Sequence, residues 1–162
     1  MPAPANVDDP RYLAELAFKN ILLQLWAPAP PGSAPATVYI TGDTTEHTHP
    51  CVLVRALEAK EQLAPGTGIF RIRVQLDLKQ KLDQENAETS EQELRSVRQC
   101  FYRNDLDPRP MIDLALRLTA AVSQPFTCNG VVPVEEIAPA IESDVRVLTR
   151  SLAFDVIAVA NR

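Results

Sequence analysis

This chain of 162 residues has few of the residues that usually mark catalysis. Its three cysteines, Cys51, Cys100 and Cys128, are widely spaced and include no Cys-x-x-Cys pair. An odd, scattered set is not a secreted disulfide framework and reads as reduced, buried thiols. There are two histidines, His47 and His49. No Gly-x-Ser-x-Gly marks a serine nucleophile. The one phosphate-like cue, Pro65-Gly-Thr-Gly68, lacks the Gly-Lys-Ser/Thr ending of a P-loop and reads as a turn feeding a strand. No apolar run approaches the roughly 18 residues of a membrane span. The opening MPAPANVDDP has no basic or apolar leader region, so the expectation is a chain without a signal peptide that folds in a reducing cytosol. A net charge of −5 argues against non-specific nucleic-acid binding, which depends on cations neutralising phosphates, but leaves room for a local basic patch.

What remains is ordinary globular material. With 46% hydrophobic and 23% charged residues, the chain can build a core without metal or disulfide support, and its length fits one domain. Residues 1–10 read as a loose N-terminus, and residues 11–162 as a single α+β domain carrying a Pro-rich linker at 27–36. Asp9-Pro10 is a helix start, with Asp at the N-cap and Pro at the first helical position. The helix Tyr12–Trp26 carries a broad apolar face of Leu13, Leu16, Ala17, Phe18, Ile21, Leu22 and Leu25. That width suits burial against a sheet or a neighbouring subunit.

Strands are expected at Thr37–Thr41 and Cys51–Leu57. The clearest pattern follows at Ile69–Lys79. There Phe70, Ile72, Val74, Leu76 and Leu78 alternate with Arg71, Arg73, Gln75, Asp77 and Lys79, which is a strand with one buried and one polar face. The polar tract 81–89 reads as a loop or extended arm. Ser90-x-x-Glu93 matches a capping box and starts a helix through Leu94, Val97 and Phe101. Asp107-Pro108 starts another, carrying Ile112, Leu114, Ala115, Leu118 and Val122. Strands at 126–134 and 145–160 close the chain, joined by a Pro-containing stretch. The order implies a mostly antiparallel sheet with helices packed on one face.

Two features invite a functional reading. The first is His47-x-His49-x-Cys51. On extended backbone these side chains share a side and can converge on zinc, with a fourth position open. The competing reading is a solvated loop leading into a buried strand that begins at Cys51. The second is the charged strand face of Arg71, Arg73, Asp77 and Lys79, beside an acidic tract containing Asp83, Glu85 and Glu88. It reads either as a solvated face or as a subunit interface where opposite signs meet.

Several segments together resemble the tail-terminator (tail-completion) family of long-tailed bacteriophages. They are the N-terminal helix, HPCVLVRALEAKEQ at 49–62, GTGIFRIRVQLDLKQ at 66–80, the helical pair at 90–122, FTCNGVV at 126–132 and RSLAFDVIAVA at 150–160. The resemblance covers about residues 8–160 and rests on the order of elements. The Pro-rich linker at 28–35 departs from the pattern, and so does the missing short hairpin turn between residues 57 and 69. The resemblance implies a structural virion protein without catalytic residues or cofactor. It would form a ring, usually a hexamer, on the head-proximal end of the tail tube, stop tube polymerisation and present the head-joining surface. Its implied partners are further copies of itself, the tube protein and a neck or head-completion protein, with DNA passing through the ring. A neck adaptor or minor tail protein is the near alternative. A small metal-dependent enzyme using His47, His49 and Cys51 is the distant one.

Overall fold

The computed structural model describes residues 9–26, 37–41, 51–63, 66–81, 87–101, 110–122, 126–134, 137–142 and 146–160. Helix α1, Pro10–Leu25, starts where the sequence indicates, with the Asp9 carboxylate accepting from the Arg11 N–H and Pro10 in the first turn. It buries Leu13, Ala14, Ala17, Phe18, Ile21 and Leu22. Leu25, expected on that face, is instead half exposed, as is Leu23, because the helix stops there and only Trp26 turns back into the core.

The strands are β1 (Thr37–Ile40), β2 (Cys51–Glu61), β3 (Ile69–Lys81), β4 (Phe126–Pro133), β5 (Ile137–Glu142) and β6 (Val147–Ala160). Helices α2 (Ala87–Phe101) and α3 (Pro110–Ala120) lie between β3 and β4. The sheet order is β1-β2-β3-β6-β4, with β5 also on β6. β4 takes the C-terminal part of the outer edge of β6, and β5 takes the N-terminal part. β1 pairs parallel with β2, and every other pairing is antiparallel. The fold is therefore the expected single α+β domain, with a mostly antiparallel sheet and the helices on one face.

Some boundaries move, each for a local reason. β2 runs four residues past its apolar stretch because a bulge between Ala56 and Glu58 resets the alternation, turning Ala59 inward and Lys60 outward. The Pro-containing stretch before β6 is itself a strand, β5, whose register breaks between Ile137 and Ala140, around Pro139. α2 begins at Ala87, so Ser90 lies inside the helix and is not its cap. Glu93 is buried and accepts instead from the Gln80 side chain at 2.6 Å, tying α2 to β3. The expected Asp107-Pro108 start lies outside the described residues.

The even-numbered side chains of β3 and β6 face the helices. Ile72, Val74, Leu76, Leu78, Phe154 and Val156 are all buried. Phe18 of α1, Phe101 of α2 and Phe154 of β6 meet in a triangle with ring centroids 5.3, 5.6 and 5.7 Å apart. Offset aromatic contacts of this kind add to the burial of the rings themselves. Polar ties fix the helices around this cluster. Asn20 donates to the Ala121 carbonyl, and Arg117 of α3 donates to the Cys100 and Phe101 carbonyls at the end of α2. A cation there satisfies carbonyls that have no helical partner. Glu15 of α1 accepts from the Ala56 amide on the edge of β2 beyond the end of β1.

Candidate interaction surface

The described helices pack on one face of the sheet; on the other, Cys51, Asp77, Ser151, Ala153 and Asp155 are buried as well. On β3 that face carries the odd-numbered residues, as the alternation in the sequence requires. The register sets Glu58, Arg73, Asp155 and Val132 in one row, and Lys60, Arg71, Ile157 and Gly130 in the next.

The charges on this face are arranged in two layers. Asp155 lies under two arginines from the neighbouring strand. Arg73 grips it through Nε and Nη2 at 2.9 and 3.1 Å, and Arg71 adds a bond at 2.8 Å. The Asp155 side chain is 9% exposed, whereas those of Arg71 and Arg73 are 58% and 45% exposed. The Arg73 bond, with help from Arg71, holds the Asp155 carboxyl below the usual aspartate range despite its burial. Asp155 in turn raises the Arg73 guanidinium.

A second buried carboxylate, Asp77, is shared by three strands. It accepts from Gln75 at 2.7 Å and from Ser151 of β6 at 2.6 Å, and pairs with Arg55 of β2 at 2.7 Å. Ionised carboxylates can leave water when their lone pairs are filled this way. The outermost layer is consequently cationic. Arg55, Lys60, Arg71, Arg73, Lys79 and Lys81 belong to this face, and among its carboxylates on β2, β3 and β6 only Glu58 is exposed.

The residues singled out from the sequence divide accordingly. Arg71 and Arg73 come together, and both bond Asp155 of the same chain. Asp77 is buried and spends its oxygens inside the sheet. Lys79 is half buried opposite Cys51. Glu88 lies in the first turn of α2, and Asp83 and Glu85 lie outside the described residues. So do His47 and His49. Cys51 opens β2 as expected and is fully buried, but it sits on the face away from the helices. Burial pushes the Cys51, Cys100 and Cys128 thiols up to about 11, so each is protonated at neutral pH. Among the described residues no three His, Cys, Asp or Glu side chains converge as a metal-binding group. No described helix is long and apolar enough to cross a membrane.

Asp155, Arg55 and Ser151 were not anticipated. Asp155 left a trace in the sequence, as the one acid in the apolar run SLAFDVIAVA and out of phase with Leu152, Phe154 and Val156. Its partners become visible only with the β3–β6 register.

The class these features define is a helix-clad α+β domain with one polar, cation-topped sheet face. Compared with known proteins, the chain matches no family model and no curated protein.

Proposed function

We propose that this chain is a structural subunit that assembles with copies of itself into a ring, as a tail terminator at the head-proximal end of a bacteriophage tail tube. In that role it caps the growing tube and presents the surface that joins the head. The observation carrying this reading is the sheet face away from the described helices, where the Asp155 carboxylate lies beneath the exposed guanidinium groups of Arg71 and Arg73. In a chain of net charge −5, such a face suits the acidic remainder of a neighbouring copy. The helix–strands–helices–strands order on which the resemblance rests adds support.

Light scattering over a range of concentrations, with and without tail tubes, tests the reading. The expected result is a closed oligomer or a complex on the tube end. A strict monomer that also ignores tubes overturns it.

The choice of variant matters. Arg73→Glu sets a carboxylate against buried Asp155 and so damages folding as well as any interface. Lys60→Glu changes the outer layer, since Lys60 is 69% exposed and, among the described residues, pairs with its near neighbour Glu58. It is expected to weaken assembly, more so at low salt, with the melting temperature unchanged.

A further inference from the structure

Arg150 of β6 carries a buried donor without an acceptor. Its side chain is only 20% exposed, and its Nη1 donates to the Glu91 carboxylate of α2. Its Nε is buried and has no partner among the described residues. Leaving a donor of a charged group in that state is costly, and in a native protein it calls for a water, an ion or a ligand. Trp26 Nε1, Arg55 Nε and Thr149 Oγ1 are also buried without a partner, but of these residues Arg150 alone lines a described cavity.

That cavity measures about 220 Å³ and lies between α2 and the β5–β6 edge, on the helix-covered face of the sheet. Helix α2 contributes Glu91, Leu94 and Arg98, at the i, i+3, i+7 spacing of one helix face. Strand β6 contributes Arg150 and Leu152, and β5 contributes Pro139. The β5 register is irregular at this point. Ile137 pairs with Ser151 and Ala140 with Thr149, so Ala138 and Pro139 together oppose Arg150. Two residues against one make a bulge that bends the strand, and Pro139 has no N–H to offer there.

The lining selects its ligand chemically. Two guanidinium groups and one carboxylate give it a net charge of +1, in a chain of net charge −5. The Arg150 bond holds the Glu91 carboxyl below the usual glutamate range, so Glu91 is ionised at neutral pH. A second negative charge on a ligand would meet Glu91, which favours a monoanion. Leu94, Pro139 and Leu152 are apolar, and the Ser151 hydroxyl is spent on Asp77. Phosphate or sulfate would turn oxygens toward hydrocarbon, whereas a carboxylate carries its two oxygens at one end. The cavity is also smaller than the roughly 300–1,000 Å³ of pockets for cofactors and drug-sized ligands.

We infer that this cavity binds a short-chain monocarboxylate. One carboxylate oxygen takes the Arg150 Nε–H, the Arg98 charge lies alongside, and the hydrocarbon rests on Leu94, Pro139 and Leu152. The site belongs to a single subunit and does not depend on the assembly proposed above.

Titration of nitrogen-15-labelled protein with butyrate at fixed ionic strength tests it, read at the arginine Nε–H signals. The Arg150 signal, identified by its disappearance in Arg150→Lys, is expected to shift saturably. Butyramide, of the same shape but uncharged, is expected to leave it unmoved, and phosphate and succinate to bind more weakly than butyrate. Arg150→Lys keeps the charge opposite Glu91 but lacks the Nε donor, and is expected to lower butyrate affinity about tenfold by calorimetry. Arg98→Gln, which leaves Arg150 and Glu91 paired, is expected to lower it as well, and serves alone should Arg150→Lys fail to fold. An Arg150 signal that butyrate does not move overturns the inference, with water as the partner of the Nε. So does a shift that butyramide, phosphate or succinate reproduces, or an affinity that the folded variants leave unchanged.

Discussion

Asp155 and Phe154 are neighbours in sequence that face opposite sides of β6, and each anchors its own side. Phe154 closes the aromatic triangle with Phe18 and Phe101 and is fully buried. Phe154→Ala is expected to cost about 3–5 kcal/mol in denaturant unfolding, through lost burial and the cavity left behind. Asp155 organises the polar face, and its effect is best read through pH. Its folded pKa is depressed, so its contribution is present above the ordinary value of 3.8 and is lost as pH falls through the depressed one. Asp155→Asn is therefore expected to melt below wild type at neutral pH, with the gap closing in strong acid. A gap independent of pH would show that the Arg71 and Arg73 bonds do not depend on the charge.

At the scale of elements, the joints are polar side chains that satisfy backbone groups. Arg117 holds the carbonyl end of α2, and Arg117→Ala is expected to cost about 1.5–3 kcal/mol, the range for a hydrogen bond to a charged group. Faster amide exchange in the last turn of α2 would localise the loss. Glu15 ties α1 to β2, and burial raises its pKa above the ordinary 4.5. The sign is opposite to that of Asp155. The stabilising protonated form is fully present below the ordinary value, and its contribution is lost as pH rises through the raised one. Glu15→Gln keeps an acceptor for the Ala56 amide and removes the buried charge. It is expected to melt above wild type at neutral pH and to match it in acid. The edges of the sheet are managed in a similar way. Thr119 of α3 accepts from the Cys128 amide on β4, and that strand also carries a bulge between Cys128 and Gly130 and ends at Pro133. These devices discourage random strand addition.

For the whole molecule, the asymmetry between the two sheet faces matters most. One face is closed by three helices and a continuous core, and the other is tied together by Asp77 and Asp155 under a layer of cations. Val74→Asp, on the closed face, is expected to abolish cooperative folding because it buries an unpaired charge. Lys60→Glu, on the open face, is expected to change assembly alone. Circular dichroism and light scattering on this pair of variants would separate the two faces by their consequences.

The sequence by itself determined the elements whose signal is local. Alternation over 69–79 set the strand and its faces, Asp9-Pro10 set the start of α1, and the spacing of Val97 and Phe101 set the inward side of α2. These follow from a period of 2.0 or 3.6 and from cap chemistry, which depend on near neighbours only. Only the tertiary structure decided what depends on register. It paired Arg71 and Arg73 with Asp155, which is more than eighty residues away. It enclosed Asp77 between Arg55 and Ser151, turned Glu93 from a cap into a buried partner of Gln80, and made a strand of a Pro-containing stretch. A one-residue shift of β6 against β3 would have placed Asp155 among the phenylalanines, and no local pattern records which register was taken.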